Sequence, residues 1–204
     1  MTEGQLYVVS APSGAGKTSL VKALCESMDK IVVSVSHTTR KPRKGEHDGQ
    51  NYHFISTEMF RKMIINDELL EYAEVFGNFY GTSERWVREQ QHKGNDIIFE
   101  LDWQGAQQIR QHVPAAICIF ILPPSQSALK MRLEARGTDD AEVIAHRMAK
   151  ATSEISHYHE FDYIVVNNQF DTALADLQAI IRCQRLQCKN QRLNHAPLVK
   201  ELLS

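Results

Sequence analysis

Residues 5–18 read Gln5-Leu6-Tyr7-Val8-Val9-Ser10-Ala11-Pro12-Ser13-Gly14-Ala15-Gly16-Lys17-Thr18. The first six are a short apolar, β-branched run of strand length, and residues 17–28 carry Leu20, Val21 and Leu24 at helical spacing. Between them lies the phosphate-loop pattern G-x-x-x-x-G-K-[ST], with Ala11 in place of the first glycine. Gly14 and Gly16 let the backbone turn its N–H groups inward around an anion, and the helix behind aims its positive end at the same point. The pattern assigns Ala11, Pro12, Ser13, Gly14, Ala15, Gly16, Lys17 and Thr18 to a nucleoside triphosphate. Lys17 would reach its β- and γ-phosphates, and the Thr18 hydroxyl would ligate Mg²⁺. Ala11 is small enough for the turn to survive, at a cost if φ there is positive.

Outward from this stretch, apolar runs of strand length stand at 31–36, 96–101, 116–122 and 162–166. Helix-length segments occupy 84–92, 103–111 and 125–136, and a closing helix at 171–192 sets Leu174, Leu177, Ile180, Ile181 and Leu186 on one face. The alternation predicts an α/β fold, a parallel sheet flanked by helices on both sides. Two segments break the rhythm. Residues 37–83, with Pro42, Gly45, Gly49, Gly77 and Gly81, read as a small, mostly β insert around one helix at 57–66. Residues 126–158 are helical and strongly charged, interrupted at Arg136-Gly137, where Asp139 and Glu142 form a capping-box-like restart, and read as a helical lid. The expected organisation is one domain over 4–184, with core segments 4–36, 84–125 and 159–190, the insert 37–83, the lid 126–158 and a tail 191–204.

The 204 residues carry 23 Lys+Arg against 25 Asp+Glu, a balance that excludes a long nucleic acid as partner. No apolar run approaches the ~20 residues of a membrane span. The N-terminus lacks a secretory pattern, so the cytoplasm is the expected location. Cys25, Cys118, Cys183 and Cys188 have no metal-ligand spacing and read as reduced packing residues. His157 and His159 lack a third ligand. Leu193, Leu198, Leu202 and Leu203 lie beyond the core stripe of the last helix, which permits self-association and equally a docked tail.

Two further features carry chemistry. Glu100 and Asp102 follow the apolar run 97–99, and period-two geometry sets them on one side of the strand as acidic partners for the phosphate loop. Residues 37–44 read His-Thr-Thr-Arg-Lys-Pro-Arg-Lys, four positive charges at the end of the second strand, where a doubly wound sheet places its ligands. The guanidinium forks of Arg40 and Arg43 suit a phosphate dianion.

On these and further stretches the chain resembles the guanylate kinases, within the nucleoside monophosphate kinase group. SAPSGAGKTS (10–19), SVSHTTRKPRKGE (34–46), GQNYHF (49–54), LLEYAEVFGNFYGTS (69–83), ELDWQGAQQIR (100–110), ILPPS (121–125), RLEARGT (132–138) and FDYIVVNN (161–168) carry the likeness. They run in order through about 90% of the sequence. The resemblance implies ATP and GMP, with dGMP as a second acceptor, as substrates of a direct in-line transfer giving ADP and GDP, with Mg²⁺. It implies that Ser36, Arg40, Arg43, Tyr52 and Tyr80 hold the monophosphate, and that Glu71 accepts hydrogen bonds from guanine N1–H and N2–H₂. Thr82 and Ser36 would face the purine edge, with Asp102 completing that site. Lys17, Arg40, Arg132, Arg136 and Arg147 form the implied catalytic set, the last three on a lid that closes over ATP. Asn167 or Asn168 would line the adenine pocket, Asn168 standing where the family commonly has Asp. Glu100 also stands where Asp is frequent and would reach Mg²⁺ through water.

Two other readings compete. Guanylate-kinase-like scaffold domains bind phosphopeptides without catalysis, but typically lack the intact loop that Lys17 and Thr18 complete here. A kinase for another monophosphate is opposed by Glu71 and Ser36, since a site that hydrogen-bonds guanine leaves lone pairs facing one another when adenine enters.

Overall fold

The computed structural model describes residues 3–75, 77–135 and 141–204, with Ala141 described by its backbone alone. Its main sheet has five parallel strands in the order β2-β7-β1-β8-β9: β1 Leu6–Ser10, β2 Ile31–Val33, β7 Asp96–Glu100, β8 Ile117–Leu122 and β9 Tyr163–Val166. All five β1 residues are buried, which explains its unbroken apolar run: Leu6 and Val8 point to one face, Tyr7 and Val9 to the other. On the Tyr7 side, α1 (Lys17–Ser27) and α7 (Phe170–Arg185) contribute Leu20, Leu24, Leu177 and Ile181. On the Leu6 side, α3 (Glu84–His92) and α4 (Trp103–His112) contribute Val87 and Ile109. The chain runs from β1 to β2 on one side of the sheet and from β7 to β8 on the other. The strand order therefore reverses at β1, and the carboxyl ends of β1 and β7 open onto the crevice where such sheets bind ligands.

The segment after β2 forms a second, four-stranded sheet in the order β4-β3-β6-β5: β3 His37–Thr38, β4 His53–Phe54, β5 Leu69–Val75 and β6 Asn78–Ser83. Helix α2 (Thr57–Ile65) packs Phe60 and Met63 against Leu69 and Phe79. Gly81 on β6 is required by close approach, since a Cβ there would stand 2.9 Å from the Glu71 carbonyl oxygen and 3.0 Å from Phe60. The second core strand is shorter than expected: β2 stops at Val33, and after Ser34 N–H bonds the Ile98 carbonyl the chain leaves for the insert, where Ser36 offers its carbonyl to His53.

Beyond β8, α5 (Gln126–Glu134) and α6 (Ala141–Ile155) pack on each other through Leu129, Leu133, Met148 and Ala151. The expected break at Arg136-Gly137 and the Asp139 restart lie outside the described residues.

The single closing helix expected at 171–192 is instead broken into α7 and α8 (Cys188–Asn194), and the expected tail continues into α9 (Ala196–Leu202). The break has a local cause. Gln187 is extended, and the Asn190 and Gln191 side chains donate to the Gln184 and Arg185 carbonyls, capping the end of α7. Leu186, expected on the core stripe, is 68% exposed. Leu193, Leu198, Leu202 and Leu203 are exposed as well. No helix among the described residues is long and apolar enough to cross a membrane.

Candidate active site

Helices α2, α3, α4 and α5 each begin with a side-chain cap, from Ser56, Ser83, Asp102 and Ser125. Helix α1 does not. It begins after Gly16, with no capping side chain and no acid in its first turn, so its leading N–H groups face the crevice beyond β1. Gly14 and Gly16 take left-handed φ values of 91° and 95°. Ala11 has no positive φ, so the departure from the pattern costs nothing in backbone strain. The loop, with Leu101, Asp102, Lys150 and Glu154, lines a cleft of ≈ 340 Å³.

The loop is braced from outside. Asn167 is buried at the end of β9, and its Nδ2 donates to the Ala15 carbonyl at 2.7 Å. A Cβ on Gly16 would lie 2.4 Å from that nitrogen. Arg132 donates to the Asn167 carbonyl at 3.0 Å and to the Ala15 carbonyl at 3.4 Å. Leu129 and Leu133 close on Gly14, where a Cβ would stand 3.0 Å from the Leu129 methyl.

Lys17 is half-buried and donates to the Leu101 carbonyl at 3.3 Å. Burial pushes its ammonium below the usual lysine pKa, and the nearby charges of Glu100, Asp102 and Glu154 act against that shift. Thr18 Oγ1 donates to Glu100 Oε2 at 2.9 Å, and Asp102 accepts from the Gly105 N–H at 3.0 Å as the cap of α4.

Lys17 and Thr18 also line a second cleft, of ≈ 430 Å³, with Ser36, Glu46, Tyr52 and Glu100. On its insert side, Arg40 pairs with Glu46 at 2.8 Å, and the other Glu46 oxygen accepts the Arg43 N–H at 2.7 Å. The Arg40 guanidinium lies 5.4 Å from the Tyr52 ring centroid, and the Tyr52 and Tyr80 rings meet edge to face at 5.8 Å. The Arg43 side chain is exposed.

Glu71 on β5 is only 4% exposed. Its Oε1 accepts the Thr82 hydroxyl at 2.7 Å, and Ser36 Oγ stands 3.3 Å from Thr82 Oγ1. With the carboxylate ionised, the one Thr82 proton points at Glu71, so Ser36 donates to Thr82. Burial pushes the Glu71 carboxyl up to about 7, against the Thr82 hydrogen bond, while the Asp102 charge adds to the rise.

The family model described as Guanylate kinase matches residues 3–184. The chain belongs to the guanylate kinase family. It is 56% identical over 201 residues to the guanylate kinase of Saccharophagus degradans, covering 98% of each chain. Identity to the Vibrio parahaemolyticus guanylate kinase is 54% and to that of Escherichia coli strain K12 is 53%, each over 206 residues and the whole of both chains. The crystal structure of the guanylate kinase from Anaplasma phagocytophilum superposes with a TM-score of 0.74 at 33% identity, covering 92% of this chain and 89% of that one.

Against the residues read from the sequence, the fold gathers the 11–18 loop, Glu100 and Asp102 at one crevice, and Ser36, Arg40, Tyr52, Glu71, Tyr80 and Thr82 on the insert facing it. Arg136 lies outside the described residues. Arg147 is half-buried on α6, and helical spacing puts it on the face that carries Lys150 and Glu154. Arg132 bonds two backbone carbonyls beneath the loop, and Asn168, just past β9, is exposed. Sequence reasoning missed the Asn167 brace, the Glu46 clasp on Arg40, and Lys150 and Glu154 beside the loop. Along β9 and just past it, Val165 and Asn167 are buried while Val166 and Asn168 are exposed, a period-two pattern that the run Tyr-Ile-Val-Val-Asn-Asn does not show in its residue types.

Proposed function

We propose that this chain transfers the γ-phosphoryl group of ATP to GMP, and also to dGMP, yielding ADP and GDP. The observation that carries this reading is the pair of clefts that share Lys17 and Thr18, one walled by the phosphate loop and the other leading to the insert. In-line transfer needs donor and acceptor phosphates on either side of one cationic point.

On the donor side, the loop N–H groups and Lys17 take the β- and γ-phosphates. Thr18 and Glu100 offer oxygen ligands 2.9 Å apart beside Lys17, a donor set that fits Mg²⁺, with Thr18 binding directly and Glu100 through water. Bound there, the ion would neutralise charge on the phosphate oxygens. On the acceptor side, Arg40 exchanges Glu46 for the GMP phosphate, joined by Arg43 and the hydroxyls of Ser36, Tyr52 and Tyr80. Ionised Glu71 accepts from guanine N1–H and N2–H₂, with Ser36 and Thr82 on the purine edge and Asp102 behind. Adenine presents an unprotonated N1 there and is rejected. Arg132, Arg136 and Arg147 belong to the lid at 126–158 and Asn168 to the adenine rim, the insert at 37–83 carries GMP, and the domain spans 4–184. No side chain need act as a nucleophile.

The reaction is placed in the cytoplasm, with neither a membrane nor a long nucleic acid as partner. Copies of the chain would associate through the exposed leucines of α8 and α9, which a concentration series of mass measurements reads. Turnover with ATP and each of GMP, AMP, CMP and UMP tests the function. GMP should be strongly preferred, and equal turnover of AMP would overturn the guanine-specific reading.

A further inference from the structure

One side chain beside the phosphate loop has the wrong sign for a triphosphate site. Glu154 Oε2, on α6, accepts the Ser13 N–H at 3.3 Å, and its side chain is only 16% exposed. It lines the same cleft as Gly14, Gly16, Lys17 and Thr18. Lys150, one turn earlier, brings its Nζ within 3.9 Å of Glu154 Oε1. The carboxylate thus sits between a loop amide and the Lys150 ammonium, as a phosphate oxygen would, with the Lys17 charge in the same cleft.

Its position is fixed from both ends of the lid. Leu129 and Leu133 of α5 pack with Ala151, one turn from Glu154, and close on Gly14 of the loop. Just past α6, the His157 ring stacks on Trp103 at 3.6 Å and 6°, and His157 Nδ1 bonds Glu160 at 2.6 Å. Trp103 directly follows Asp102 and begins α4. The root of the lid is therefore pinned to α4, and among the described residues the lid side chain that bonds a loop amide is an acid.

We propose that Glu154 is the cradle's own anion, a lid carboxylate that occupies part of the phosphate site in the nucleotide-free chain and must be displaced when ATP enters. This rests on the loop being the ATP site. In the free chain the carboxylate neutralises the amides, Lys17 and Lys150, and draws the lid helix onto the loop. When the triphosphate arrives, two anions compete for one set of donors. The carboxylate swings off the Ser13 N–H while the root of α6 stays pinned, and Lys150 can turn from Glu154 to the phosphates. Glu154 is thus a positioning residue that couples ATP entry to movement of the lid.

The test is a calorimetric titration of MgATP, without GMP, into the wild-type chain, Glu154→Gln and Glu154→Ala. Both variants should bind ATP about tenfold more tightly, a difference of about 1.4 kcal/mol, with GMP affinity unchanged. The gain should be pH-dependent. Burial raises the Glu154 carboxyl pKa, opposed by Lys150, the Ser13 N–H and Lys17, while Asp102 adds to the rise. Lowering the pH therefore protonates the wild-type competitor sooner than an ordinary carboxyl, and the difference between wild type and variants should shrink as the pH falls from 8. Unchanged or weaker ATP binding in both variants would overturn the proposal. So would a gain in Glu154→Gln alone, which would come from the new amide, or an equal change in GMP affinity. A wild-type chain that binds no MgATP would instead overturn the ATP reading of the loop.

Discussion

The donor cradle and the acceptor pocket meet at Lys17 but are built on opposite principles. The cradle is main chain, bent by Gly14 and Gly16 and clamped from below by Asn167 and Arg132, so its N–H groups are aimed before any ligand arrives. The acceptor pocket is side chains already bonded to one another: Arg40 to Glu46, Thr82 to Glu71, Ser36 to Thr82. A ligand of the cradle meets a preorganised backbone from which one carboxylate, Glu154, must leave, whereas a ligand of the pocket must break the bonds that the recognising side chains make with one another. Preorganised donors favour the transition state, and exchangeable partners favour discrimination between substrates. Substitutions in the cradle should therefore act on rate, and substitutions in the pocket on which monophosphate is accepted.

The largest effect is expected at the point the two share. Lys17→Met keeps the length of the side chain and removes its charge where charge on the transferring group must be cancelled. Single-turnover transfer from ATP to GMP should fall by about 10³-fold or more. A loss of less than tenfold would take Lys17 out of the chemistry and break the contrast at its centre.

Glu71 tests the other side through pH. Its carboxyl must be ionised to receive guanine, yet burial holds its pKa at about 7. The KM for GMP should therefore rise as pH falls from 8 to 6, while in Glu71→Gln, which cannot titrate, that component should be absent. The variant should also lose about 10²-fold of the preference for GMP over AMP. The sign for stability is opposite. A folded pKa raised above the carboxylate value of 4.5 gives stability that is full below that value and lost as pH climbs through about 7. Wild type should lose on the order of 2 kcal/mol more than Glu71→Gln between pH 4.5 and 8 in denaturant unfolding. Parallel pH curves for the two chains would show that Glu71 is not the titrating group.

The same division explains what the sequence could disclose. The cradle is written in consecutive residues, from the apolar β1 run to Lys17, and the periodicities of β7, β8 and β9 are equally local. What braces it is not local: Asn167 reaches Ala15 across 152 positions, Glu154 reaches Ser13 across 141, and neither side chain carries a spacing that announces its partner. In the insert, β3 and β4 are two residues each, too short for alternation to register, and β6 (Asn-Phe-Tyr-Gly-Thr-Ser) lacks an apolar face. Glu71 became legible through family likeness, since an isolated acid has no periodicity, whereas Arg40 already stood out in the basic run at 37–44. The C-terminal helix misled for a related reason: the apolar stripe runs on past Leu186, but the break comes from Asn190 and Gln191 capping α7, a polar signal within an apolar pattern.

The smallest effect concerns the clasp on Arg40. Glu46 takes the guanidinium with one oxygen and the Arg43 N–H with the other, and those bonds, Arg40 first, hold its carboxyl below the usual pKa. If a GMP phosphate must win Arg40 from this acid, Glu46→Gln weakens the competitor while leaving an oxygen to hold the turn at Arg43. The KM for GMP should fall about threefold, a change within the range of a partly exposed charged pair, with kcat and the KM for ATP unchanged. A rise in the KM for GMP would mean that Glu46 keeps Arg40 aimed at the phosphate rather than withheld from it. The acceptor pocket would then be as preorganised as the cradle, and the two sides of the active site would differ in composition alone.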